Sequence, residues 1–383
     1  MIYHYGFIEI LYIRIDAFSK CMHITFLRHS IHNRGSDLIS LDYSSFLLKQ
    51  GHQVTYWANV VNTEFPIDPK IKFKKIPHKG ILGTIFFALS SRFQTDLLYV
   101  DLIIMACLAW GQNNKKVLYF SQDYDVSYYR SWSLRILTRI AYWLCNHILH
   151  VHSIYASEHL AREINPSVRP NKNMIVKNGI DLTKFFKNND SKFISLRQKP
   201  VVVIIFVRQD YRKGLDIARK ALITLGQMTS SQNWELWAIG NESFIEKKLN
   251  GVKISNLGFL SQEDLRDVLS AGDIYFSASR HEGFNILTMQ AMACGCVPVV
   301  TQPMSMVQHN ITGLVSPVEN WRDLAVNLDK AINDQTLRHQ LQKGSLKSAH
   351  DFDLRERCKE LESSLLRLSQ LPEDLLAVPA VNS

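Results

Sequence analysis

One stretch constrains the fold of this chain more than any other: residues 273–301, DIYFSASRHEGFNILTMQAMACGCVPVVT. Short apolar runs at 274–277 and 297–301 flank a polar loop and a segment of helical composition. Such runs, bounded by turn residues, are typical of buried strands. Asn285 is a suitable N-cap for the helix between them, and Gly295 is a suitable C-terminal stop. The stretch therefore predicts a strand–loop–helix–strand unit of a parallel α/β sheet.

The loop and first helical turn of this unit have the features of an anion site. Ligands of parallel α/β sheets bind at the carboxyl ends of the strands. The N–H groups that open a helix have no partner within it, and the helix dipole adds partial positive charge there, which favours phosphate. The groups concerned are the backbone N–H groups of Gly283, Phe284, Asn285 and Ile286. Glu282 stands just before them.

A second pattern begins at Glu282, which Gly283 and Phe284 follow, and ends at Gln290, eight positions after Glu282. It resembles the glutamate, seven residues, glutamate signature of retaining glycosyltransferases of family 4. The resemblance implies the α/β fold called GT-B, in which two Rossmann-like domains have parallel sheets that face a cleft. It also implies that Glu282 lies near the donor sugar and diphosphate and that position 290 holds the nucleotide ribose.

Gln290 departs from this family pattern, which has a glutamate there. A glutamine both donates and accepts hydrogen bonds, so ribose contact is retained, but a charge-assisted bond is lost. The alternative is a buried helix without a ligand, in which Gln290 caps a polar pocket.

A second motif supplies cations. Residues 201–207 are fully apolar and predict a strand, with Arg208 at its carboxyl end and Lys213 and Gly214 shortly after. This order resembles the family's arginine and lysine–glycine pair, which clamps the donor diphosphate. Fixed cations stabilise the negative charge that develops on a departing nucleoside diphosphate. The resemblance thus implies that Glu282, Lys213 and Arg208 are catalytic, and the alternative is a basic surface cluster.

The start of the chain predicts a second unit of the same kind. A strand at 23–27, a loop at 28–36, a helix at 37–50 and a strand at 54–57 resemble the N-terminal domain of GT-B enzymes. The glycine-containing first loop of that domain faces the cleft. The resemblance therefore implies that Gly35 lies on the acceptor side.

A polar residue also follows a strand further along, where Asp123 comes after an apolar run at 117–121. The segment 119–124 is similar to rhamnosyltransferase-like members of the family. Asp123 is either an acceptor-side contact or a turn or helix cap. The segment 130–147 is predicted to be a helix with three arginines beside aromatic residues. It either lies on an anionic bilayer or packs on the sheet with a solvated arginine side.

The length of 383 residues predicts two domains. We predict an N-terminal extension at 1–21, an acceptor-side domain at 22–190, a nucleotide-sugar-binding domain at 191–350, and at 351–383 a helix that crosses back to the first domain, plus a tail. The extension lacks the hydrophobic core of a signal peptide. Its removal is expected to leave activity intact.

The positive charge is concentrated in the first domain. The net charge is +9, and residues 22–190 carry 20 basic against 12 acidic groups, whereas residues 191–383 carry 22 against 21. A basic face suits a membrane surface or a phosphate-bearing acceptor, and ordinary solvated charge is the alternative. No nucleic-acid-binding module accompanies the charge. The six cysteines form no Cys-x-x-Cys pair and are expected to be buried thiols of a cytoplasmic protein.

These features lead to one functional hypothesis. The chain moves a hexose from a nucleotide diphosphate sugar to a glycan or lipid-linked acceptor, with retention of configuration and without a metal or other cofactor. Its location is cytoplasmic, and peripheral contact with the inner face of an anionic membrane is left open. The first alternative is a non-catalytic sugar-nucleotide-binding subunit of a glycan-assembly complex, which Gln290 favours. The second is epimerisation or phosphorolysis in the same cleft.

Overall fold

In the computed structural model, the described residues are 21–113, 116–165, 175–240, 243–244, 249, 251–301 and 306–370. The predicted extension, apart from Cys21, and the tail at 371–383 lie outside them. Among the residues that are described, no helix is both long enough and apolar enough to cross a bilayer.

The first half of the chain forms one parallel sheet. Its strands are β1 (His23–Ile31), β2 (Gln53–Val61), β3 (Lys72–Lys75), β4 (Leu97–Val100), β5 (Val117–Ser121) and β6 (His152–Tyr155). Its helices are α1 (Gly35–Lys49), α2 (Gly80–Ser90), α3 (Ile103–Asn113), α4 (Trp132–His147) and α5 (Glu158–Ile164). The strand order is β3-β2-β1-β4-β5-β6, so the order reverses between β1 and β4.

The second half repeats this plan. Its strands are β7 (Val201–Phe206), β8 (Trp234–Ile239), β9 (Ile254–Gly258), β10 (Ile274–Ser277), β11 (Val297–Thr301) and β12 (Leu314–Ser316). Its helices are α6 (Leu215–Met228), α7 (Gln262–Ala271), α8 (Ile286–Ala293), α9 (Trp321–Asn333) and α10 (Gln335–Ala349), and α11 (Leu354–Gln370) ends the described chain. The order is β12-β11-β10-β7-β8-β9, with the reversal between β7 and β10. The predicted architecture of two Rossmann-like domains is confirmed.

The apolar run of β7 is continuous because helices cover both faces of its sheet. Val203 belongs to a core cluster that includes Ile217 of α6. Its neighbour Val202 belongs to a different cluster, which includes Val268 of α7 and Met289 of α8. Alternate residues of the strand thus enter two separate cores, and the sequence needs no polar alternation.

The predicted loop at 28–36 is wrong over its first half. β1 continues to Ile31, because its parallel register with β2 extends to the pair Ile31 and Val61. The polar side chains of Arg28 and His29 suggested an end to the strand. Arg28 is nevertheless buried, because Asp37 and Asp101 neutralise its charge. Helix α1 then begins at Gly35, at the end of the predicted loop.

The chain crosses between the two sheets twice, and the crossings lie side by side. The Ile180 backbone N–H donates to Phe352 O at 2.8 Å, and the Leu354 N–H donates to Ile180 O at 2.9 Å. A Cβ at Gly179 would stand 2.5 Å from Leu354 Cα, so this approach requires glycine. Beyond the second crossing, α11 packs on the core of the first sheet through Cys358, Leu361 and Leu365.

Candidate active site

A cavity of about 640 Å³ lies between the two sheets. Its walls come from the carboxyl ends of β1 and β5 on one side and of β7 and β10 on the other. Both strand-order reversals therefore face it, and such reversals are where doubly wound folds bind ligands. The lining includes Arg208, Lys213, Glu282 and Gln290 from the second domain.

The sheet register brings Lys213 and Glu282 together. β7 and β10 are adjacent parallel strands, paired at Ile204 and Tyr275, so the loops that follow them begin at the same edge. Gly214 has a φ of +61°, and a Cβ there would lie 2.0 Å from Ala278 O. Only glycine allows the segment after β7 to approach the segment after β10 so closely. The lysine–glycine pair is thus explained by local geometry.

Glu282 is held in one position by several donors. Lys213 Nζ donates to its Oε1 at 2.7 Å and to its Oε2 at 2.8 Å. Ser279 Oγ and Asn285 Nδ2 donate to Oε1 at 2.7 and 3.1 Å. Only 7% of Glu282 is exposed. Charge-assisted bonds of this kind fix both the ionised carboxylate and the lysine at the wall of the cavity.

The start of α8 has the predicted form. Asn285 is the N-cap, and its side-chain oxygen accepts a hydrogen bond from the Thr288 N–H at 3.0 Å. Its amide nitrogen donates to Glu282, so one residue both caps the helix and positions the carboxylate. The helix ends before Gly295, which has a φ of +88°. Gly283, Phe284, Asn285 and Ile286 all line the cavity, and so does the buried Gln290.

The two arginines after β7 differ in their surroundings. Arg208 is exposed at the cavity wall. Arg212 makes ion pairs with Asp210 at 2.8 Å and with Asp123 of the first domain at 2.9 Å. Burial alone would lower the pKa of Arg212, but these two carboxylates raise it. Arg208, Arg212 and Lys213 all line the cavity, and Arg212 also joins the two domains. The diphosphate contacts expected of Arg208 and Lys213 stay predictions.

The two predicted acceptor-side residues lie where the domains touch. Asp123 Oδ1 is 2.9 Å from His281 Nε2, an ion pair whose angle departs from that of a hydrogen bond. A Cβ at Gly35 would lie 2.7 Å from Ile286 Cδ1 of the second domain. Both residues also line the cavity. Acceptor contact by Gly35 and Asp123 stays a prediction, but their domain–domain contacts are part of the structure.

Two further arginines, one at the cavity and one beside it, were not predicted from the sequence. Arg28 of β1 lines the cavity, is 3% exposed, and pairs with Asp37 and Asp101. Burial alone would lower the pKa of Arg28, but the two carboxylates raise it. Its partners are 9 and 73 residues away, so no local motif indicates the cluster.

Arg280 is the second arginine. It pairs with Asp216 at 2.7 Å and with Glu319 at 2.5 Å, and its guanidinium lies 4.0 Å from the centre of the Tyr211 ring. Its backbone N–H donates to Arg212 O at 2.7 Å. It therefore ties the loop that carries Glu282 to the loop that carries Lys213. Among the described residues, no group of three or more His, Cys, Asp or Glu side chains is arranged to hold a metal.

Two facing Rossmann-like domains with this cavity between them define a GT-B fold, and solved glycosyltransferase structures share it. Sucrose-phosphate synthase from Thermosynechococcus elongatus aligns with a TM-score of 0.72 at 15% identity, over 90% of this chain and 98% of its own. Anabaena HepE in complex with UDP-glucose aligns with a TM-score of 0.69 at 19% identity, over 90% and 99%. At such identities the likeness is one of fold.

Sequence comparison adds a family match that covers most of the second domain. Residues 186–348 match the family model "Glycosyl transferases group 1". A mannosyltransferase of Xanthomonas oryzae pv. oryzae, named GDP-mannose:cellobiosyl-diphosphopolyprenol alpha-mannosyltransferase, is 28% identical over 197 residues, which are 49% of this chain and 47% of that protein. The chain spans about half the length of the curated relatives it matches first.

Proposed function

We propose that this chain is a glycosyltransferase that moves a hexose from a nucleotide diphosphate sugar to a glycan or lipid-linked acceptor, with retention of configuration. One observation carries the proposal: Lys213 and Glu282 meet beside the amide groups that open α8, at the wall of an interdomain cavity. The family match over this same domain supports it.

The site residues of the second domain have separate roles in the proposed reaction. The anomeric carbon exchanges its bond to the diphosphate oxygen for a bond to an acceptor hydroxyl oxygen, and the hydroxyl proton passes to an oxygen of the departing diphosphate. Negative charge grows on the departing diphosphate, and Arg208, Lys213 and the start of α8 stabilise it. Glu282 orients the sugar. Because these groups supply the positive charge, we propose that no metal or other cofactor is required.

Gln290 completes the proposed donor site. It lies on α8 beside the cavity, where its amide can both donate to and accept from the ribose hydroxyls. Closure of the two domains over the donor would exclude water and so limit hydrolysis.

The acceptor side of the proposal is supported by the relatives and by charge. The name of the Xanthomonas relative includes a diphosphopolyprenol, which is a lipid-linked diphosphate. The first domain carries the basic excess that suits such an acceptor or an anionic membrane surface. We therefore propose a cytoplasmic location with peripheral contact at the inner face of the membrane.

The test is donor turnover by the purified protein. Sugar nucleotides of several bases are supplied with lipid-linked and glycan acceptors in the presence of EDTA, and release of nucleoside diphosphate is measured. Lys213→Ala should lower turnover by at least about a hundredfold, the usual effect of losing one transition-state donor. Glu282→Ala should lower it by a similar factor, roughly a hundredfold, because the sugar and Lys213 are then no longer held in position. Lys343→Ala, which removes an exposed lysine of α10, is the control and should leave turnover unchanged.

Near-normal rates in both site variants would refute the assignment of these residues. Tight binding of a sugar nucleotide with no turnover across the whole acceptor panel would instead support a non-catalytic subunit. The comparisons do not favour that alternative, because the matched family is named for its transferases.

A further inference from the structure

One side of α4 exposes large apolar side chains. Trp132, Ile136, Ile140 and Trp143 follow one another at intervals of four, four and three residues, so they form a single stripe along the helix. Their exposed fractions are 75, 44, 49 and 54%. The buried residues of the helix lie on its other side, at Thr138, Ala141, Tyr142 and Cys145. Within the described part of the chain, α4 therefore has a second, uncovered apolar side.

Helix α2 carries a similar surface. Ile81, Leu82, Phe86 and Leu89 are exposed by 65, 80, 56 and 47%. Helix α3 lies between α2 and α4 and contacts both, so the three helices lie side by side on the first sheet. We call the exposed apolar residues of α2 and α4 the apolar face. Monomeric proteins rarely expose so many large apolar groups together, and such patches mark interaction sites.

The chain segments that contain α2 and α4 carry charges of one sign. Residues 69–95 include six Lys or Arg, residues 126–157 include three, and neither segment has an Asp or Glu. Arg135 and Arg139 are exposed, lie one turn apart on α4 and flank its apolar stripe. The face therefore combines an apolar centre, two tryptophans and a basic border.

We infer that the apolar face docks on the surface of a bilayer that contains anionic lipids. Amphipathic helices with basic borders bury their apolar side at the boundary between headgroups and acyl chains, and Trp favours that boundary. Basic side chains add attraction to anionic headgroups. A second copy of the chain fits less well, because a two-fold contact would bring the arginines of both copies together.

The apolar face adjoins the cavity. Thr84 of α2 lies 2.9 Å from the ring of His29, which lines the cavity. Tyr128 and Tyr129, just before α4, line it as well. Docking would hold the acceptor side of the cavity next to the headgroups. A lipid-linked acceptor could then enter the cavity directly from the bilayer, and this consequence rests on the proposed function.

Vesicle flotation of the full chain tests the docking surface. The protein should float with vesicles made of equal parts phosphatidylcholine and phosphatidylglycerol, and should float less with pure phosphatidylcholine or at high salt. The double variant Trp132→Ser with Trp143→Ser should bind at least about tenfold more weakly, because it removes two large apolar groups. Arg135→Gln with Arg139→Gln should bind about 25-fold more weakly, at roughly fivefold for each basic residue.

Matched changes on the second domain are the controls. Ile311→Ser removes an apolar side chain that is 59% exposed, and Lys343→Gln with Lys347→Gln removes two exposed charges of α10. Both should float as the unchanged protein does. All variants are checked by thermal melting, and the exposed arginine pair keeps the test valid if a tryptophan variant fails to fold.

No flotation with the mixed vesicles, or equal flotation of the α4 variants and the controls, would overturn the inference. Self-association in sedimentation velocity that depends on Trp132 and Trp143, without vesicle binding, would also overturn it by assigning the face to a second copy. The assay contains neither donor nor acceptor. Its failure therefore leaves the proposed transferase activity standing, and a failure of that activity leaves the docking surface standing.

Discussion

Lys213 and Glu282 neutralise each other's charge at a position that is only partly accessible to water. The side chains are 24% and 7% exposed. Removing one member leaves the other charge poorly compensated, which is strongly destabilising in buried pairs. Loss of activity in an alanine variant must therefore be separated from loss of folding. Glu282→Gln is the useful companion variant, since it keeps the shape and the acceptor for Ser279 but removes the charge.

The neutral side chain of Gln290 leads to a testable prediction. Gln290→Glu should tighten binding of a nucleoside diphosphate about five- to tenfold, because a carboxylate accepts from ribose hydroxyls with stronger, charge-assisted bonds. Isothermal titration measures the dissociation constant. The gain should vanish for a 2′,3′-dideoxynucleoside diphosphate, which lacks the hydroxyls. An equal gain for both ligands, or none for either, would contradict ribose contact at this residue.

His281 and Asp123 make part of the domain contact dependent on pH. Burial alone would lower the pKa of His281, but the Asp123 carboxylate raises it above the ordinary value. A raised pKa means that the folded state binds the proton more tightly than the unfolded chain does. The stabilisation is fully present below about pH 6.5, the unfolded value, and is lost as the pH rises through the folded pKa of His281.

Melting curves across pH 5.5–9 therefore test this contact, a range set around the ordinary histidine pKa of about 6.5. The melting temperature of the unchanged protein should fall as His281 loses its proton, and Asp123→Asn should remove that part of the pH dependence. Lys343→Gln, a charge change on α10, is the control. If Asp123→Asn had the same pH dependence as the unchanged protein, the ion pair would contribute nothing to stability.

Among the secondary-structure elements and their connections, the loop between β10 and α8 contacts the first domain directly. A Cβ at Gly283 would stand 2.1 Å from Gln122 O and 2.6 Å from Asp123 Cα, both backbone atoms. Gly283→Ala should therefore force the domains apart, and we expect turnover to fall at least about tenfold because a small misplacement of reacting groups is costly. Small-angle scattering should report a larger radius of gyration.

Gly111→Ala on α3 is the matched control, because nothing lies within 4 Å of the added Cβ. It should change neither turnover nor the radius of gyration. A Gly283→Ala protein with unchanged turnover and unchanged scattering would show that this contact does not set the separation of the domains.

The sequence predicted the elements of the second domain best. The helix expected at about 285–294 is α8, Ile286–Ala293, and the strand expected at 201–207 is β7. Helix caps and fully apolar strands can be recognised from the local sequence alone. The loop predicted at 28–36 failed because the length of β1 is set by its register with β2, and the burial of Arg28 is set by carboxylates elsewhere in the chain.

At the scale of the whole molecule, the site is a property of two domains in contact. The signature residues Arg208, Lys213 and Glu282 were predicted from one domain alone. Their supports were not, because Asp123 and Arg280 join segments that lie 89 and 39 residues apart in the sequence, at Arg212 and Glu319. Only the packing of the folded chain brings such partners together.

Binding of a nucleoside diphosphate is the decisive test of the proposed diphosphate site. We expect a panel of nucleoside diphosphates to raise the melting temperature of the protein, because a ligand bound only to the native state stabilises it. The corresponding monophosphates should have a much smaller effect, and Lys213→Ala should remove most of the difference between the two. Equal stabilisation by mono- and diphosphates in both proteins would instead mean that no diphosphate is held between Arg208, Lys213 and the start of α8.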